Sequence, residues 1–142
     1  MGNSSCRRAF QLALQLERYS GPKPACILLG GETTVTVKGT GRGGRNQEFA
    51  LALLCHWQSS GKDPQQVPSV LCAATDGTDG PTDAAGALVD GRLLNWLYVN
   101  KLDAGMYLAQ NDSYTFFQKT EAQLRTGPTY TNVMDMVIVL IK

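Results

Sequence analysis

Residues 39–44 place four glycines in six positions, between an alternating Thr/Val run and a long apolar stretch. Backbone of that glycine density sustains neither a helix nor a strand. The loop therefore divides two elements and lets the chain approach another surface closely. Upstream, Glu32–Lys38 alternates, with Thr34 and Thr36 on one face and Val35 and Val37 on the other. This predicts a strand. Ala25–Gly30 is a short apolar run bounded by Pro24 and Gly31, which predicts a buried strand and a β-hairpin with the first. Downstream, Asn46–Trp57 predicts the strongest helix: Phe49, Leu53 and Trp57 share a face, and Ala50 and Leu54 widen it. Leu51 and Cys55 lie on the opposite side, so this helix is expected to be buried on most of its surface.

The remaining elements follow the same logic. Arg8–Tyr19 is amphipathic and ends at Ser20-Gly21-Pro22, which predicts a helix. Pro68–Ala74 and Val133–Ile141 predict strands, and Ala84–Val89 a small-residue helix capped by Thr82 or Asp83. Arg92–Asn100 is ambiguous between helix and strand. Leu102–Thr120 predicts one or two short helices broken near Asn111-Asp112-Ser113. Strands separated by helices, with apolar residues on both strand faces, imply a single α/β domain. The expected form is a three-layer α/β/α arrangement around a mixed sheet. Residues 1–24 read as an N-terminal helix and lead-in, and residues 25–142 as the domain proper.

Composition narrows the functional classes. The 142 residues carry a net charge of +1, which gives no reason to invoke nucleic acid. No apolar run approaches the ~18 residues of a membrane span. Cys6, Cys26, Cys55 and Cys72 form no CxxC pair, and His56 is the single histidine, so a zinc pattern is lacking. The cysteines are expected to be free thiols in a reducing compartment, with Cys26 and Cys72 buried in apolar runs. His56 is expected to be a packed or rim residue. The start, Met-Gly-Asn-Ser-Ser-Cys, approaches a myristoylation signal, but Cys6 stands where Ser or Thr is required. A clipped start is the expected reading rather than a lipid anchor.

Two loops carry chemistry. Arg42 and Arg45 flank Gly43-Gly44 at the predicted start of the long helix. A helix N-terminus offers unpaired N–H groups to an anion, and arginine adds a planar charged fork, so the loop reads as a phosphate or carboxylate site. Gly39-x-Gly41-x-x-Gly44 matches the dinucleotide fingerprint formally, without the expected βαβ context. A Walker loop is absent. The second loop carries Asp76, Asp79 and Asp83, with Gly77 and Gly80 between them. Those carboxylates have two readings: holding a hard cation such as Mg²⁺, or capping turns and the following helix.

Gly30-Gly31-Glu32-Thr33-Thr34-Val35, Gly43-Gly44-Arg45-Asn46-Gln47-Glu48, Thr75-Asp76-Gly77-Thr78-Asp79-Gly80-Pro81-Thr82-Asp83-Ala84-Ala85-Gly86, Asn111-Asp112-Ser113 and Thr126-Gly127-Pro128-Thr129 occur in this order. Together they resemble the C-terminal MOFRL domain of class II glycerate kinases, a family that also includes hydroxypyruvate reductases of the tartrate-degradation type. The resemblance implies ATP- and Mg²⁺-dependent phosphorylation of D-glycerate at its 2-hydroxyl. It implies an active site in a cleft shared with an N-terminal Rossmann-like domain, in a cytoplasmic or mitochondrial enzyme. The lone chain is then expected to fold but to show little or no kinase activity. On the matching positions, Arg45, Asp76 and Asp79 are the implied catalytic residues, the two aspartates also serving Mg²⁺. Glu32, Gly43, Gly44, Asn46, Gln47, Thr78, Asn111 and Thr129 are the implied substrate contacts. The family has glycine where this chain has Tyr130, which implies a positive φ there. The alternatives are a small-anion binding module without catalysis, and part of a nicotinamide-dependent reductase.

Overall fold

The computed structural model describes residues 4–142. The first three residues of the myristoylation-like start lie outside this range. The described elements are α1 (Ser4–Glu17), β1 (Ala25–Gly31), α2 (Arg45–Ser59), β2 (Ser69–Ala74), β3 (Gly86–Val89), α3 (Gly91–Asn100), α4 (Ala104–Ala109), α5 (Ser113–Lys119), β4 (Gln123–Leu124) and β5 (Asp135–Ile141). The sheet order is β1-β5-β2-β3-β4, and every pair is antiparallel. The α/β class holds in a single domain. The expected mixed sheet is corrected to an antiparallel one. No described helix is long and apolar enough to cross a membrane.

Three local expectations are also corrected. Glu32–Lys38 joins no strand, because β1 pairs with β5 instead of folding back on its own sequel. The segment straps across the start of α1, where Ser5 N donates to the Thr34 carbonyl at 3.1 Å. Its far end hangs on Asn111, whose Oδ1 accepts from Lys38 N and Gly39 N. Residues 86–89 form strand β3, not helix. Gly86 lies so close to the Cys72 carbonyl that a Cβ would collide with it, which lets β3 press against β2. Cys26 is exposed rather than buried, while Cys72 is buried as expected. Burial pushes the Cys72 thiol far up, and pushes Cys55 up to about 12.

The core forms on one side of the sheet. Val70, Cys72, Ala87, Val89, Val139 and Ile141 point inward and join buried residues of all five helices in one cluster. Helix α2 lies at its centre and touches α1, α3, α4, α5, β2 and β3. Leu51, Leu53 and Leu54 are fully buried, so α2 is enclosed as its sequence implied. Each such leucine contributes roughly 1.5–3 kcal/mol on burial. The helices thus make one layer, where cover on both faces was expected. His56 sits at the rim, edge-on to Phe10 and 3.3 Å from Glu17.

Candidate functional site

The loops singled out above converge at one end of the sheet. That end comprises the last residues of β1 and β2, the first of β5 and the N-terminus of α2. Gly31 pairs with Asp135, and Asp135 with Ala74, so the sheet register fixes this convergence.

The start of α2 is closed by a residue from another loop. Gly44 is its N-cap and has no side chain to accept from the free helix N–H groups. The Asp79 carboxylate takes that role from 33 residues away: Oδ1 accepts from Asn46 N at 3.0 Å and Oδ2 from Gln47 N at 2.8 Å. The side-chain amides of Asn46 and Gln47 donate to the same two oxygens, each at 3.1 Å. A Cβ at Gly44 would drive into Asp79, so the glycine is required for the carboxylate to reach the helix end. Asp79 is 1% exposed, and burial raises its pKa against the opposing pull of those hydrogen bonds. The reading of the helix end as an open anion site is therefore corrected: these N–H groups already hold an anion belonging to the protein. Thr82 braces the same loop by donating to the Asp79 carbonyl at 2.7 Å.

Arg45 is held differently. Its Nε donates to Asp135 Oδ2 at 2.5 Å and its Nη2 to Asp135 Oδ1 at 3.0 Å, a bidentate fork. Glu32 Oε1 lies 2.9 Å from the same Nη2. The hydrogen bonding to the Asp135 carboxylate is the largest cause holding the Arg45 pKa above its ordinary value. Nη1 has no hydrogen-bond partner among the described residues, and the Arg45 side chain remains 37% exposed. Two hollows flank this arginine. One, of about 390 Å³, runs from Arg8 and Gln15 past Gly31 to Asp135. The other, of about 580 Å³, runs from Thr33 past Arg42 and Arg45 to Pro81.

The other expected site residues fall around this centre. Asn111 is buried behind the glycine loop, with φ +53°, and its amide donates to both oxygens of buried Glu48. It braces the loop from behind. Gly43 lies against Ser113. Asp76 Oδ1 accepts from Thr78 N within its own turn, and Thr129 donates to the Thr75 carbonyl, tying the two outer loops together. No group of three or more His, Cys, Asp or Glu that could hold a metal ion converges among the described residues. Asp83 instead pairs with Tyr114 and Arg125. The dinucleotide fingerprint also loses its context, since its loop follows no strand and β1 runs antiparallel to its neighbour. Asp135 was missed in the sequence. Its one signal is a lone acid opening an otherwise apolar strand.

The structure is an α/β domain with polar loops gathered at one sheet end around a tethered arginine. The chain belongs to the MOFRL family, whose model matches residues 25–135. It is 50% identical over 120 residues to the D-glycerate 2-kinase of Thermotoga maritima, covering 84% of this chain and 27% of that protein. It is 45% identical over 136 residues to the glycerate kinase of Homo sapiens, covering 93% of this chain and 26% of that one. The crystal structure of the Thermotoga maritima glycerate kinase superposes with a TM-score of 0.87 at 40% identity, over 100% of this chain and 34% of the other. The chain therefore spans about a quarter to a third of the length of these relatives.

Proposed function

We propose that this chain is the C-terminal domain of an ATP-dependent glycerate 2-kinase, contributing one side of an interdomain active site. The observation that carries the reading is Arg45, oriented by Asp135 and Glu32 with one nitrogen left for a ligand. It stands in a chain half identical to a D-glycerate 2-kinase. A guanidinium locked on one edge presents its other edge at a set angle, which suits a carboxylate or a transferring phosphoryl oxygen. The second oxygen of Glu32 is the candidate to orient a substrate hydroxyl. Asp76 keeps one oxygen clear of its turn contact and is the candidate acceptor for the hydroxyl proton.

The same geometry supports a composite site. Glu32 and Asp135 both offset the charge of Arg45, so this cluster alone carries too little positive charge for a triphosphate. Both oxygens of Asp79 are engaged by α2, so Asp76 and Asp79 do not fit the expected Mg²⁺ pair. ATP and any metal are assigned to the second domain, for which a Rossmann-like fold is the family expectation. The test is ADP release with D-glycerate and Mg²⁺, on this chain and on a full-length relative. The lone chain is expected to be inactive. Arg45→Ala, made at the aligned position of the full-length relative, is expected to cut turnover more than about tenfold, the scale of one lost transition-state contact. Unchanged turnover in a folded variant would remove Arg45 from the site.

A further inference from the structure

Both faces of the sheet are apolar, and the helices cover only one. The register sets Leu28 beside Ile138, Ile138 beside Leu71, and Leu71 beside Leu88, so one unbroken apolar row crosses four strands on the outer face. Leu140 and Met136 extend it along β5. None of these side chains belongs to the core cluster. Leu28 is 65% exposed, Leu140 50% and Leu88 40%. No Asp, Glu, Lys or Arg falls on this face of β1, β5, β2 or β3. An antiparallel sheet built to meet water alternates apolar with polar residues, and a contiguous apolar surface marks an interface.

We propose that this face seats an apolar surface contributed by the part of the longer enzyme outside this chain. Two observations select that occupant. The matched relatives are three to four times longer than the region they share with this chain, so ample polypeptide is present to cover it. The face also carries no charged rim across its strands, which is the character of a permanent core rather than of a transient contact. In addition, β5 begins at Asp135, so the face runs up to the arginine site and one neighbouring domain can reach both. The proposal rests on reading the chain as one domain of a longer enzyme, and not on the kinase chemistry.

Cys26 supplies the probe, since it lies on this face opposite Leu140 and is an exposed free thiol. In the 142-residue chain, maleimide labelling followed by mass spectrometry is expected to modify Cys26 first and Cys72 only on unfolding, at a rate independent of protein concentration. In the full-length human relative, a cysteine at the aligned position is expected to label on the order of a hundredfold more slowly. Equal labelling in both proteins would overturn the proposal. So would concentration-dependent protection with a dimer in sedimentation, which would make the occupant a second copy. As a second measurement, Leu28→Lys with Leu140→Lys is expected to leave the Tm of the lone chain within about 2 °C. The aligned pair in the full-length relative is expected to lower Tm by more than about 5 °C or prevent folding. Equal tolerance in both would overturn the proposal. Labelling needs no turnover: an inactive full-length protein with this face protected would refute the kinase chemistry and leave the docking surface standing.

Discussion

Asp79 and Asp135 are two buried carboxylates at the same end of the sheet, and they do opposite work. Asp79 faces four neutral donors of α2 and closes the helix end. Asp135 faces one guanidinium, which it orients while leaving part of it accessible. The first arrangement consumes a potential anion site to hold the fold together. The second uses a carboxylate to aim a cation at solvent. An acidic residue near a candidate site thus reveals its role through its partners, not through its position in a motif.

Substitutions separate the two. Asp79→Ala leaves two backbone N–H groups and two amides without their acceptor, so urea unfolding is expected to show a loss of about 3–5 kcal/mol. A change under about 1 kcal/mol would break the contrast. Asp135→Asn is expected to act mainly on function. It removes the charged half of the fork, and at the aligned position of the full-length relative should reduce kcat/KM about tenfold. Its effect on stability should be smaller than that of Asp79→Ala, because Arg45 is partly solvated and retains Glu32. Equal destabilisation by both variants would make Asp135 a structural residue.

Two smaller effects refine the picture. Tyr130 has φ +59° and is 98% exposed, so the residue takes the left-handed conformation without a compensating contact. Tyr130→Gly is expected to stabilise the chain by about 1 kcal/mol in thermal or urea unfolding. The last prediction concerns pH. Burial raises the folded pKa of Asp79, so the folded state holds that proton more tightly than the unfolded chain does. The stability linked to this group is therefore complete below the ordinary carboxylate range and declines as pH rises through the folded pKa. The penalty of Asp79→Ala should be greatest near about pH 4 and shrink toward neutrality. A penalty that grows with pH instead would show that the hydrogen bonds outweigh burial.

Much of the fold was legible because apolar periodicity reports burial directly. It marked α2, β1, β2 and β5, the break between α4 and α5, and the enclosure of α2. Where side chains are small or alternate weakly, local pattern was insufficient. Residues 32–38 alternate like a strand but form none, since alternation does not name a pairing partner. The Ala84-Ala85-Gly86 run suits helix by size, and became strand because Gly86 permits close contact with β2. In the site, Arg45 and Glu32 were both singled out in the sequence and do meet. Asp79 was singled out with a catalytic role, whereas its geometry is that of a cap.

The sequence by itself determined an α/β domain with a glycine-arginine loop before a buried helix, and strands apolar on both faces. Those properties depend on residues close along the chain. Tertiary structure alone decided that the sheet is antiparallel, that Asp79 reaches the end of α2 and Asp135 reaches Arg45, and that one apolar face stands uncovered. Each of these depends on groups that only folding brings together. The two carboxylate contacts span 32 and 90 residues, and no local periodicity encodes a contact at that separation.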